Sequence, residues 1–146
     1  MDELSELLKK SLATTFAFYL KAHNFHWNVE GPFFSQYHSF FETLYTDAWE
    51  ATDGLAEHIR TLNVYAPGSF KRFSELSAIQ DELTVPNAAG MLNRLYDDNN
   101  AVIATLIPAQ KAAESAGAVG IANYLQDRID IHNKHAWMLR ASKKNG

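Results

Sequence analysis

The sequence contains no cysteine, which excludes both disulfide bonds and thiolate metal ligands. It also lacks an excess of basic charge, since 13 lysines and arginines stand against 17 aspartates and glutamates and give a net charge of −4. A dedicated nucleic-acid-binding domain usually has a basic surface, whereas an acidic chain attracts cations. No apolar run approaches the length of a membrane span, and the acidic first residues differ from a signal peptide. We therefore expect a cytoplasmic protein with no membrane partner.

Glycine and proline are scarce, with seven and four copies, and apolar residues recur at spacings of three and four along most of the chain. This pattern predicts an all-α protein. Four long helices are predicted. The first runs from a cap at Asp2 to about Trp27, and the second covers Phe34–Leu62. The third starts at a cap at Pro86-Asn87 and continues through a kink at Pro108, and the fourth follows the turn at Gly117 and Gly120. The connection between Asn63 and Pro86 is too long for a bare loop, so a short helix is predicted near Arg72–Gln80.

The lengths of the connections predict how these helices are arranged. Short links join the first helix to the second and the third to the fourth, while the middle link is long. This is the connectivity of a ferritin-like four-helix bundle with one crossover. With 146 residues and no internal repeat, the chain is predicted to be a single domain, 1–146, in which the short extra helix lies in the crossover.

One face of the second predicted helix carries four side chains that can bind metals: His38, Glu42, Asp53 and Glu57. At about 100° per residue, all four fall within about 100° of one another around the helix axis. The same geometry separates His38 from Asp53 by about 22 Å along the helix, so one chain cannot use both in one site. Asp47 falls about 180° from His38 and is excluded from this face.

A second copy of the helix, running antiparallel across a two-fold axis, removes this difficulty. It would place His38 and Glu42 of one chain opposite Asp53 and Glu57 of the other. Symmetry would then create two identical sites. His26, just before the Gly31-Pro32 break, could fold over the start of the second helix and join His38. Imidazoles with carboxylates and no thiol suit iron, manganese or zinc. Each pair alone is also typical of a solvated helix surface, so both interpretations remain open.

The arrangement of these residues resembles that of the Dps-type mini-ferritins. The resemblance covers nearly the whole chain, and its first block is the most specific. Its motifs are His26-Trp27-Asn28-Val29-Glu30-Gly31, Phe34, His38, Phe41, Tyr45, Asp53, Ala56-Glu57 and Ile59-Arg60, then Ser74-Glu75-Leu76-Ser77, Met91-Leu92 with Leu95, and Trp137-Met138-Leu139.

The resemblance implies a hollow twelve-subunit shell that oxidises Fe(II), typically with hydrogen peroxide or otherwise with dioxygen, stores the ferric product and protects against oxidative stress. It places the ferroxidase centre at the dimer two-fold. His26, His38 and Glu42 would come from one subunit, and Asp53 and Glu57 from the other. Many relatives have Asp where this chain has Glu42, so we expect the second iron to be displaced or held more weakly.

The alternative function is a shell of the same fold that mainly binds or compacts DNA and has little ferroxidase activity. Relatives that condense DNA generally use a flexible basic tail, whereas here the first helix is predicted to start almost at Met1. The basic clusters are few: Lys9-Lys10, and Arg140 with Lys143 and Lys144. We therefore expect DNA binding, if present, to be weak.

The sequence also bears on two other kinds of metal site. A di-metal centre inside one bundle requires Glu-x-x-His on two helices, and this motif is absent from the sequence. The last helix could form an accidental metal site from Asp130, His132 and His135. His23, one turn before His26, could orient His26 through a hydrogen bond or lie on the surface.

Overall fold

In a computed structural model, which describes residues 2–144, the chain forms four long helices and one short one. They are α1 (Asp2–Asn28), α2 (Phe34–Thr61), α3 (Phe70–Leu76), α4 (Ala88–Ser115) and α5 (Val119–Lys143). No strand occurs within the described range. The predicted all-α bundle, with a short helix in the crossover, is therefore confirmed. None of the helices in residues 2–144 combines the length and apolar character needed to cross a bilayer.

The core lies where α1 packs along α2 and α4, while α5 packs along α4. Its largest fully buried side chains include Phe18 and Phe25 from α1 and Phe41 from α2. Removing each such side chain from water contributes about 1.5–3 kcal/mol, so this aromatic layer is a main source of stability. Phe25 and Phe41 lie one residue before His26 and three residues after His38, so the core fixes the backbone that carries both histidines.

The crossover helix begins and ends earlier than predicted. The Ser69 side chain accepts a hydrogen bond from the Arg72 N–H at 3.2 Å, and the helix ends at Leu76. The following residues are held by α1 instead of continuing the helix. The Ala78 N–H donates to Thr14 Oγ1 at 3.1 Å, and Lys21 Nζ donates to the Gln80 carbonyl at 2.8 Å. The predicted range Arg72–Gln80 was therefore wrong in its second half.

The other helix ends agree with the sequence to within a residue or two. Asp2 is already helical, so its prediction as the cap was wrong, although its charge still favours the first turn of a helix. The Asn87 cap is confirmed, because its side chain accepts from the Gly90 N–H at 2.8 Å. As predicted, α4 continues through Pro108, and Gly117, with φ of +70°, turns the chain into α5.

A buried ion pair joins α5 to the face of α2 opposite His38. Arg128 Nη1 and Nη2 donate to the two Asp47 oxygens at 2.9 and 2.8 Å, and His135 Nε2 donates to Asp47 Oδ2 at 3.0 Å. Burial would raise the pKa of Asp47, but the hydrogen bonds and charges of Arg128 and His135 outweigh it and hold that pKa well below its ordinary value. The exclusion of Asp47 from the metal-binding face agrees with these contacts.

Candidate metal centre

The end of α1 and the start of α2 bring two histidines together. His26 lies in the last turn of α1, and His38 lies in the second turn of α2. The chain reverses between them at Gly31, whose φ of +121° is accessible to glycine and strained for other residues. The two imidazole rings are stacked with their centroids 3.7 Å apart and their planes 18° from parallel. The prediction that His26 folds over to join His38 is consistent with this geometry.

Reciprocal hydrogen bonds fix both rings. His26 Nδ1 bonds to the His38 carbonyl at 2.7 Å, and His38 Nδ1 bonds to the His26 carbonyl at 2.7 Å. A carbonyl oxygen can only accept, so each Nδ1 carries a proton and donates it. In the neutral ring the lone pair is then on Nε2, the atom through which such an oriented histidine binds a metal. The pair therefore presents two pre-oriented imidazole donors.

Aromatic side chains enclose the histidine pair. Phe34 stacks on His38 with 5.0 Å between ring centroids, and Tyr45 meets His26 edge-on at 5.0 Å. His26 is buried, whereas Trp27 and Trp49 are exposed over 58% and 55% of their surface. The two indole rings give the surface beside the histidine pair an exposed aromatic character.

The acidic candidates do not converge on the histidines within one protomer. Glu42, Asp53 and Glu57 are all exposed, and none of them takes part in the ion pairs formed among residues 2–144. In that range, no three His, Asp or Glu side chains lie close enough together to hold a metal ion. A single chain therefore holds the two imidazoles ready and leaves the carboxylates in solvent.

His23 has a partner that the sequence analysis missed. Its Nδ1 lies 2.9 Å from the Tyr19 hydroxyl, and its ring stacks on Tyr45 at 3.9 Å and lies 4.0 Å from Trp27. Burial is the main cause that lowers the pKa of His23, and the charge of nearby His26 lowers it further. Of the two possibilities for His23, the hydrogen bond to His26 is not formed: His23 Nδ1 is paired with Tyr19, and His26 Nδ1 is bound to the His38 carbonyl. The spacing of four between Tyr19 and His23 was the available signal.

The structure contradicts the possible accidental metal site on α5, because His132 uses both ring nitrogens inside the core. Its Nε2 accepts from Arg128 Nη2 at 2.9 Å, so Nδ1 carries the proton and donates to Asn99 Oδ1 at 2.8 Å. Burial, followed by the charges of Arg128 and His135, lowers the pKa of His132 well below its ordinary value. His132 is therefore a neutral structural residue, and His135 is bound to Asp47.

Known proteins resemble this chain over nearly its whole length. A family model described as a ferritin-like domain matches residues 5–145. DNA protection during starvation protein 2 of Bacillus anthracis is 32% identical over 139 residues, which cover 95% of each protein.

Solved structures share the whole fold. A Dps protein from Bacillus brevis superposes with a TM-score of 0.92 at 31% identity, covering 97% of this chain and 95% of that one. The Dps protein of Vibrio cholerae O1, described as a member of a broad superfamily of ferritin-like diiron-carboxylate proteins, gives a TM-score of 0.93 at 28% identity and covers 98% and 90%. The bundle thus has the ferritin-like architecture, and the chain belongs to the Dps-type mini-ferritins.

Proposed function

We propose that this protein sequesters iron as a ferroxidase whose centres are shared between two protomers. His26, His38 and Glu42 of one protomer, with Asp53 and Glu57 of a two-fold-related protomer, would bind Fe(II) for oxidation by hydrogen peroxide or dioxygen. Six such dimers would form a twelve-subunit shell that stores the ferric product in the cytoplasm. Removing Fe(II) and peroxide together would protect the cell against oxidative stress.

The observation that carries this proposal is the pair of His26 and His38. Both Nδ1 atoms are bound to carbonyl oxygens, so both Nε2 atoms can donate to a metal. Imidazole and carboxylate donors together favour iron over softer metals. Anionic carboxylates also attract Fe(III) more strongly than Fe(II), because the energy of a charge pair grows with the charge. Such a site favours the oxidised product.

The proposed reaction balances without radical products. Two Fe(II) ions each give one electron, and hydrogen peroxide takes both as its O–O bond breaks. The products are two Fe(III) ions and two hydroxide ions. Supplying two electrons at one shared centre avoids the one-electron reduction that would release a hydroxyl radical.

The surface beside Asp53 supports sharing between protomers. A shallow groove of about 570 Å³ runs next to Asp53 and Ala56 and is lined by apolar side chains that include Phe16, Trp49 and Phe73. An exposed apolar surface beside unpaired acids is what a partner chain with complementary ligands would cover. The proposed antiparallel pairing would place the partner histidines against these acids.

Complementation between two inactive variants tests the proposal. His38→Ala and Asp53→Ala should each oxidise Fe(II) slowly as homo-oligomers. In a mixed dimer one site carries both changes and the other carries neither. Equal co-expression with random pairing makes half the dimers mixed, so about a quarter of the wild-type rate should return. Mixtures of differently tagged copies of one variant are the control and should show no recovery. If verified mixed particles also show none, the site is not shared.

DNA binding is the second candidate, favoured by the basic last turn of α5, which contains Arg140 and Lys143. Lys143 Nζ lies over the Tyr96 ring at 4.1 Å from its centroid, so this side chain is held against α4. We expect little retention of duplex DNA in a gel-shift at physiological salt. Tight retention that falls steeply with added salt would favour the DNA-compacting function.

A further inference from the structure

One stripe of α2 faces α5, on the side of the helix away from the candidate metal ligands. It consists of Asp47, Ala51, Gly54 and His58, spaced by four, three and four residues. At about 100° per residue, Asp47 and Gly54 lie about 180° and about 160° around the helix from His38. Asp47 is held by Arg128 and His135, and the rest of the stripe meets Tyr124 of α5.

Tyr124 fits into a notch that Gly54 leaves in α2. A Cβ atom at Gly54 would overlap the Tyr124 hydroxyl oxygen and lie 2.8 Å from its Cζ, so only glycine permits this approach. The hydroxyl donates to the Ala51 carbonyl at 3.3 Å, and the His58 ring lies 4.6 Å from the Tyr124 ring. Glycine is unfavourable in the middle of a helix. Its presence here is explained by the space that Tyr124 occupies.

The notch adjoins the acidic half of the candidate metal centre along α2, and Gly54 lies about 100° from Asp53 and about 60° from Glu57 around the helix. Asp53 immediately precedes Gly54, and Glu57 immediately precedes His58. Both carboxylates are exposed and form no ion pair within residues 2–144, so their own side-chain contacts do not orient them. Their direction is therefore set by the backbone of this segment, which Tyr124 contacts at Gly54 and at the Ala51 carbonyl.

We propose that Tyr124, seated in the Gly54 notch, is a positioning residue for Asp53 and Glu57. This inference rests on the proposed shared ferroxidase centre. The ring blocks α2 from rotating or bending toward α5, and the hydroxyl ties Tyr124 to the carbonyl of Ala51. Small displacements of a metal ligand weaken binding, because coordination distances tolerate only about 0.2 Å. A contact that fixes the backbone next to two solvent-exposed ligands can therefore control metal affinity.

The electrostatic surroundings keep the Tyr124 hydroxyl protonated. Burial raises the pKa of Tyr124; the nearby Arg128 opposes the rise, and the charges of Asp47 and Asp53 add to it. The phenol therefore remains a donor to the Ala51 carbonyl at neutral pH.

The test measures Co(II) binding to the assembled protein under argon, because Co(II) accepts the same donors as Fe(II) without being oxidised by the site. Particle mass is checked first, and affinity is then followed by titration and by the ligand-field absorption of the bound ion. Tyr124→Leu removes the ring, and Gly54→Ala pushes it out of the notch. Tyr124→Phe keeps the ring and is the conservative rescue. Tyr96→Leu removes another partly buried tyrosine on a different helix and is the matched control.

We expect Tyr124→Leu and Gly54→Ala to weaken Co(II) binding about 3- to 10-fold and to alter the absorption spectrum of the bound ion. This loss of affinity is smaller than the 10- to 100-fold loss that follows removal of a residue in contact with a metal ligand. Tyr124→Phe and Tyr96→Leu should remain within about twofold of the wild type. Alanine has a higher helix propensity than glycine, so Gly54→Ala keeps the test decisive if Tyr124→Leu does not assemble.

The inference would be overturned if Gly54→Ala, and any assembled Tyr124→Leu, bound Co(II) with the affinity and the absorption spectrum of the wild type. That result would not contradict the shared centre. Equal weakening by Tyr96→Leu would also overturn it, because the effect would then reflect general loosening. Absence of Co(II) binding by the wild-type protein would instead contradict the proposed metal centre itself.

Discussion

Replacing Asp47 by Asn should lower stability strongly at neutral pH and much less in acid. The substitution keeps the size of the side chain and removes the charge that Arg128 Nη1 and Nη2 contact at 2.9 and 2.8 Å. Arg128 is only 5% exposed, so it would become a buried cation without a counter-charge. Breaking a buried pair in this way costs about 3–5 kcal/mol. Because the Asp47 side chain is 24% exposed, we expect a value near the lower end, about 3 kcal/mol.

The pH dependence follows from the depressed pKa of Asp47. An acid with a lower pKa in the folded state adds stability that is complete above its unfolded value, here 3.8. That stability is lost as the pH falls below this value toward the folded pKa. The difference between the wild type and Asp47→Asn should therefore be constant from pH 7 to pH 5 and shrink as the pH approaches 3.

The assay is urea unfolding followed by circular dichroism at one fixed protomer concentration, because assembly makes apparent stability depend on concentration. About 3 kcal/mol corresponds to a fall in melting temperature of about 6–12 °C for a domain of this size. Asp97→Asn, at an exposed position on α4, is the control and should change the unfolding free energy by less than about 0.5 kcal/mol. An Asp47→Asn protein as stable as the wild type at pH 7, or a difference undiminished at pH 3, would refute this reasoning.

Three other substitutions test the elements that hold the site. Gly31→Ala places a side chain at a φ of +121° and should lower the free energy of unfolding by about 1–3 kcal/mol, measured by thermal unfolding. Fe(II) oxidation should also become slower, because the turn sets His26 against His38. Unchanged oxidation would mean that the turn does not control the histidine pair. Lys21→Met leaves Asp98 without the ammonium group that lies 2.7 Å away, and should cost about 3 kcal/mol in urea unfolding; a neutral result would show that the packing of α1 against α4 does not depend on this ion pair. Asn87→Ala removes the α4 cap and should cost about 1 kcal/mol by the same measurement, whereas Asn87→Ser should retain most of the stability.

The sequence was informative wherever a feature depends on residues that lie close together along the chain. The Gly31-Pro32 break and the positions of His26 and His38 were enough to predict that the two rings would meet. Their reciprocal bonds to each other's carbonyl groups were not predictable, because these depend on how the two helix ends approach. The tautomer that leaves Nε2 free could therefore be assigned only from the structure.

Contacts between distant segments account for most of the differences. His132 and His135 were candidate ligands in the sequence, but their partners Asn99 and Asp47 are 33 and 88 residues away. The crossover helix was placed too late because the cap at Ser69 was overlooked and because α1 holds the residues after Leu76. The fit of Tyr124 against Gly54 likewise joins two helices and has no signature along the chain.

The shared centre is tested most directly by metal-edge anomalous diffraction from crystals soaked with Fe(II), with the particle mass measured on the same preparation. The account predicts a twelve-subunit particle with anomalous density at each dimer two-fold, within about 2.2 Å of the Nε2 atoms of His26 and His38 and of carboxylate oxygens of Asp53 and Glu57 from the neighbouring protomer. A monomeric protein, or iron bound away from this seam with the histidines and acids far apart, would contradict it.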